Sequence, residues 1–270
     1  MFKDIIIGQF IPGESFIHKL NPAVKLLLTL LFIITMFVIN SVPAYIAATV
    51  FLWVSVYLCK IPFRFIARGI KPMLYIFVFT AFFNLFFTAG TPLLEFSFFG
   101  FSVSVTIEGL ILSLKMIIRL LYLVVASSIL TLTTSPLMLT DGIERLISPL
   151  SKIKVPTHEI AMMMSIALRF IPTLSEEMDK IMKAQTARGA DFESGSIIKR
   201  AKALIPILVP LFISAFRRAD ELAVAMESRC YTSGGGRTKM KEQRASGRDF
   251  IAGLAFILFL AVSVVLEIIY

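Results

Sequence analysis

The chain has 270 residues, 57% of them hydrophobic and 25 of them phenylalanine, with a mean hydropathy of +0.84 and a net charge of +9. A soluble enzyme of that composition would expose large apolar patches, so the composition predicts an all-α polytopic membrane protein. Two unclustered cysteines, Cys59 and Cys230, form no metal-ligand spacing and are expected to be reduced. No metal and no cofactor is expected.

Met1 to Asn21 is polar, is broken by Pro12 and Gly13, and has no charged segment leading into a short apolar core. No cleavable signal is expected, and insertion should rest on the first span. About five segments are long and apolar enough to cross a bilayer, near residues 24–40, 44–59, 73–88, 107–132 and 250–269. Between the second and third, Lys60 to Pro72 reads as a basic connection. Residues 93–106 alternate apolar and polar, as in Phe96-Ser97-Phe98, and read as an outer loop lying on the membrane surface.

Lys and Arg set the expected orientation. Residues 1–25 hold Lys3, Lys19 and Lys25, residues 60–71 hold four, and residues 136–248 hold eighteen, while the loops at 40–43 and 89–106 hold none. This places the N-terminus and residues 135–248 in the cytoplasm and the C-terminus outside. The positive charge is thereby a topology signal, and nucleic acid is not an expected partner. Lys115 and Arg119 lie inside the fourth span on one helix face, with Glu108 seven residues earlier. The reading preferred over a functional one is that this helix packs its charged face inside the bundle or extends past the bilayer.

Three domains are expected: residues 1–134 as a membrane domain of about four spans, 135–248 as a cytoplasmic region of about three long helices, and 249–270 as the last transmembrane helix. The cytoplasmic region opens with Ser135-Pro136, a cap followed by proline at the first helical position. A short amphipathic helix runs to about Leu150, followed by a long helix from about Thr157 to Arg188, bent at Pro172. Ser196 caps a third helix that runs to about Arg229, with bends at Pro206 and Pro210. A basic linker from Thr232 to Arg248 returns to the membrane.

Two short motifs close the long helices. Ala187-Arg188-Gly189 ends the first and Ser228-Arg229-Cys230 ends the second. An arginine near a helix C-terminus is favoured by the helix dipole, and a third copy, Ala67-Arg68-Gly69, is explained by topology alone, so the tripeptide by itself is weak evidence. Position is stronger evidence. Stepping back by sevens from Arg188 gives Ile181, Leu174 and Ala167; from Arg229 it gives Leu222, Ala215 and Leu208. Flanking stripes agree: Met178, Ile181 and Met182 on one helix, Ile205, Phe212, Ala219 and Met226 on the other. Each arginine therefore continues an apolar stripe, and its small neighbours leave room for a surface to close round the guanidinium. Two such ends, 41 residues apart, point to two equivalent acidic receptors.

The paired motifs, the basic helices and the hydrophobic frame resemble the transmembrane coupling (T) component of energy-coupling factor (ECF) transporters, the EcfT/CbiQ-type family. The resemblance covers essentially the whole chain, from Asn21-Pro22 to the last membrane helix. It implies a non-catalytic subunit in the membrane of a bacterial cell. Two cytoplasmic ABC ATPase subunits, as a homodimer or heterodimer, would dock on Arg188 and Arg229, with Ala187, Gly189, Ser228 and Cys230 around them. A separate membrane substrate-binding (S) subunit would bind the vitamin or metal ion and rest on an apolar surface, in the lipid bilayer. The second motif departs from Ala-Arg-Gly, and Cys230 caps a helix less well than Gly. Met162-Met163-Met164 is soft enough to suit several S partners, and reads equally well as ordinary packing.

The alternatives fit the residues less well. His158-Glu159 begins like a zinc-protease helix, but Met162 stands where the second histidine is needed. A stand-alone channel or secondary transporter would want repeated halves or interrupted mid-membrane helices, and the spans show no repeat. A membrane-anchored scaffold for some other partner is the remaining alternative.

Overall fold

The computed structural model describes residues 10–88, 90–98, 101–192, 196–231 and 246–269. The elements among these residues are α1 (Pro22–Val38), α2 (Val42–Cys59), α3 (Phe63–Ile70), α4 (Leu74–Phe87), β1 (Pro92–Phe98), β2 (Phe101–Thr106), α5 (Ile107–Thr133), α6 (Pro136–Ile147), α7 (Thr157–Ala187), α8 (Ile197–Glu227) and α9 (Gly247–Ile269). The contacts divide the chain into two units. One lies within residues 8–146 and 243–270; the other takes in residues 147–242. Most of the expected basic linker, up to residue 245, lies outside the described residues.

In the first unit, α2, α5, α9 and the stretch Phe63–Phe87 are long and apolar enough to cross a membrane, while α1 is apolar but has only 17 residues. Most boundaries follow local chemistry. Pro22 opens α1 and the Asn21 side chain accepts from the Ala23 amide, as a cap should. Ser135 Oγ likewise accepts from the Met138 amide ahead of Pro136. At α2, Ala44 and Ala48 are fully buried, which lets neighbouring backbones approach. Phe32, Phe51, Phe256 and Phe259 form the aromatic centre, with the Phe51 and Phe259 rings stacked at 4.6 Å. Beside them an apolar cavity of about 390 Å³ lies between α1, α2, α5 and α9.

Two expectations change. The stretch after Lys60 is helical from Phe63, so the third span starts about ten residues earlier than its hydropathy indicates. The prolines permit it: Pro62 precedes the first helical residue, and Pro72 falls in the single 3-10 turn that joins α3 to α4. Ile66 is buried, and a Cβ on Gly69 would come within 2.9 Å of Ser128 Oγ, so α3 lies close against α5. Second, residues 92–106 are an antiparallel hairpin, not an irregular loop, with Phe96 opposite Val103 and Ser97 opposite Ser102. Pairing satisfies backbone groups that a lone strand would leave open.

Arg119 and Glu267, two of the charges inside the spans, have protein partners. Arg119 donates to Tyr45 Oη (3.1 Å), to the Ile39 carbonyl (2.9 Å) and to Asn40 Oδ1 (3.1 Å). Glu267 accepts from the Asn40 and Ser41 amides of the same turn, at 3.1 and 2.9 Å. A cation thus meets the C-terminus of α1 and an anion the N-terminus of α2, each the sign that the helix dipole favours. Glu108 accepts from the Thr91 amide at 2.8 Å. Near the start of α1, Lys25 is buried and donates to the His18 and Thr133 carbonyls and to Thr134 Oγ1. Asp249 accepts from the Asn21 amide at 2.8 Å and from the Ser246 amide at 2.7 Å, tying the start of α9 to that of α1.

The second unit is simpler. A 3-10 stretch, Ser148–Ile153, leads into α7, and α7 pairs with α8. Both helices have 31 residues. Ser196 caps α8 by accepting from the Lys199 amide.

Candidate functional site

The candidate site comprises the C-terminal ends of α7 and α8. Both ends close in the same way. At the first, the Gly189 amide donates to the Thr186 carbonyl (2.9 Å) and the Ala190 amide to the Gln185 carbonyl (3.0 Å). At the second, the Cys230 amide donates to the Glu227 carbonyl (2.9 Å) and the Tyr231 amide to the Met226 carbonyl (3.0 Å). This is the Schellman arrangement, in which the residue after the cap turns left-handed. That residue is Gly189, with φ of 88°, in one motif and Cys230, with φ of 56°, in the other. Each arginine therefore occupies the last position before the chain reverses hand. The third motif position is thus explained first by backbone conformation, whatever room its small side chain leaves.

Ala67-Arg68-Gly69 is different. It lies inside α3, where Gly69 is helical and packs on Ser128. The sequence has three copies of the pattern, and only two are helix-ending caps.

The heptad stripes are partly realised. Leu174, Ile181, Ala215 and Leu222 are half-buried, as are Met178, Met182 and Met226, whereas Ala167 and Leu208 are exposed. On α8 the covered line runs through Ile207, Leu211, Ser214, Arg218 and Leu222. Ile205 and Phe212, expected on a covered flank, lie on the opposite side and are 54% and 62% exposed. With Leu204, Leu208, Val209, Ile213 and Phe216 they make a broad open apolar face. Arg188 and Arg229 are themselves exposed, as are Ala187, Gly189, Ser228 and Cys230, and no described residue pairs with either guanidinium. Each heptad stripe ends about two turns short of its arginine, at Ile181 and Leu222. Pro172, Pro206 and Pro210 all lie inside their helices, where each removes one backbone hydrogen bond.

One residue pair escapes the sequence reading. Arg218 of α8 donates to Glu177 of α7 at 3.2 Å, and the Ser214 hydroxyl together with Arg218 holds the Glu177 carboxyl below its ordinary range. Glu177 and Arg218 have the same 41-residue separation as the two motif arginines, which is the signal that would have found them. From this bridge the geometry of the ends follows. Ala187 lies about 15 Å along α7 and Ile197 about 32 Å back along α8, while the connection between them reaches at most about 36 Å. If both motif ends lay on the same side of the bridge, that connection would have to cover about 47 Å. The two arginine-bearing arms therefore diverge from the crossing.

The chain matches the cobalt transport protein family, CbiQ, over residues 13–241. It is 55% identical over 270 residues to the energy-coupling factor transporter transmembrane protein EcfT of Clostridium kluyveri, covering 99% of this chain and 98% of that protein. It is 49% identical to the EcfT protein of Ruminiclostridium cellulolyticum, covering the whole of both chains. The EcfT protein of Bacillus subtilis is 46% identical over 250 residues, covering 92% and 93%. With its apolar helices, the chain belongs to the EcfT/CbiQ-type family of ECF transporter transmembrane proteins. As a member it is a multi-pass membrane protein and the transmembrane component of such a transporter.

Proposed function

We propose that this protein couples ATP hydrolysis in two cytoplasmic ABC ATPase subunits to a separate membrane subunit that binds a vitamin or metal ion. Arg188 and Arg229 are the docking residues, each entering an acidic groove on one ATPase. The supporting observation is the equivalence of the two ends: two exposed arginines, each the last residue before a left-handed cap, on arms that diverge from one crossing. One arginine at a helix end is ordinary, but two built alike suit two like partners. The exposed apolar face of α8 from Leu204 to Phe216 suits the membrane substrate-binding subunit, and Met163, 57% exposed, belongs to the same kind of adaptable surface. When the ATPases close on ATP, the arms move, and Pro172, Pro206 and Pro210 let the apolar halves of α7 and α8 move with them. In this reading residues 1–134 and 249–270 anchor the protein in the bacterial cell membrane. The N-terminus and residues 135–248 are cytoplasmic, and the C-terminus is outside. The chain itself carries no catalytic group.

The test is co-purification in mild detergent with the ATPase subunits. Arg188→Ala with Arg229→Ala should lose them, whereas Arg68→Ala should keep them. Equal loss with Arg68→Ala would sink the reading, and so would tight vitamin binding by the isolated chain.

A further inference from the structure

We propose that α3 carries a binding site for the headgroup of an anionic phospholipid, formed by Arg64, Arg68 and Lys71. The three are spaced four and three residues apart, which puts them on one side of the helix. The other side is fixed, because Ile66 is 1% exposed and Gly69 lies against Ser128 of α5. All three cations are exposed, and none is ion-paired with a described residue. Lys25 and Arg119 of the same unit are instead engaged by protein oxygens. No such oxygen among the described residues engages Arg64, Arg68 or Lys71.

Depth decides what does. Phe63–Phe87 is one helical stretch of 25 residues in which a window of 18 is apolar. At 1.5 Å per residue it is about 37 Å long, against a hydrocarbon layer of about 30 Å, so its first turns lie among the headgroups. Phe63, 68% exposed, flanks the cations as an interfacial anchor, and the Arg68 guanidinium lies 5.7 Å from the Phe65 ring. A planar guanidinium presents paired donors to a phosphate, and two of them four residues apart can hold one phosphodiester between them, with Lys71 adding a point charge. A second anionic group, as in cardiolipin, is not needed for the contact. The net negative charge is, because it supplies the attraction over zwitterionic neighbours. The proposal rests on the membrane reading of α3 and α4 and is independent of the docking role of Arg188 and Arg229.

The experiment reconstitutes the full chain in phosphatidylcholine bilayers and compares spin-labelled phosphatidylglycerol with spin-labelled phosphatidylcholine at the protein surface. The wild-type chain should prefer the anionic lipid at a subset of contact sites. Each cation removed should weaken that preference about fivefold, so Arg64→Gln/Arg68→Gln/Lys71→Gln should abolish it at those sites. Arg64→Lys/Arg68→Lys, which keeps the charge, should retain most of it. Lys152→Gln/Lys154→Gln, which removes exposed cations elsewhere, should leave it intact. An unchanged preference in the triple variant would overturn the proposal, as would equal loss in the Lys152/Lys154 variant.

Discussion

Glu177 and Arg218 join α7 to α8 at 3.2 Å, and eleven residues beyond each of them stands a motif arginine, Arg188 or Arg229. The bridge is the one described ion pair in this unit, and Arg218 Nε beside it is buried without a partner. The pair is partly exposed, so its coupling energy in a double-mutant cycle of Glu177→Gln and Arg218→Gln should be only about 0.5–1 kcal/mol. Its greater effect should be on the angle of the arms. The charge swap Glu177→Arg/Arg218→Glu should restore ATPase co-purification that either single change weakens. The Glu177 carboxyl titrates below its ordinary 4.5 in the folded chain. Its contribution is therefore complete above that pH and is lost as the pH falls below it.

The two caps should respond to opposite changes. Nothing lies within 4 Å of a Cβ built on Gly189, so Gly189→Ala meets no clash and costs only left-handed backbone strain, about 1 kcal/mol. Cys230 already bears that strain, and Cys230→Gly should stabilise α8 by a similar amount. Thermal unfolding of the purified chain checks both signs.

The turn at Asn40 should be sensitive to its anion. Glu267→Ala removes acceptors from two backbone amides and should cost about 1–2 kcal/mol, read as a lower melting temperature in detergent. Exposed Glu14→Ala, whose lysine partner lies on the surface, should cost much less.

His18 should give the first unit an acid-sensitive element. Its Nε2 lies 3.0 Å from the Ile11 carbonyl and its Nδ1 2.6 Å from Ser15 Oγ. Burial first, and then the Lys25 charge, hold its pKa below the ordinary 6.5. The unfolded chain therefore takes up the proton first. Stability should be level above pH 6.5 and fall as the pH drops below it, and His18→Gln should flatten that fall in melting curves.

Much of the fold is legible from residue chemistry. Ser135-Pro136 and Ser196 announced their helices because capping is a local matter of one side chain and one amide. The start at Phe63 was hidden because four cations and two prolines mark a loop, whereas the structure gives three of those cations, Arg64, Arg68 and Lys71, an exposed helix side and places the prolines at permissive positions. The hairpin was hidden for another reason: alternation in residues 93–106 shows strand character but not which strand pairs with which. At the candidate site, the stripes through Leu174 and Leu222 correctly found the half-buried sides of both helices. A heptad drifts round a straight helix, so by Ala167 and Leu208 it had left them. The left-handed turn was legible at Gly189 but not at Cys230, because cysteine gives no sign of positive φ.

Cys59 is buried at the end of α2, and Cys230 is the other cysteine of the chain, exposed in the second motif. Nature has thus left one addressable thiol one residue from Arg229 and none near Arg188. A maleimide added to the unmodified protein should mark that end alone, and slowed reaction on adding a partner would time the covering of that end without an engineered label.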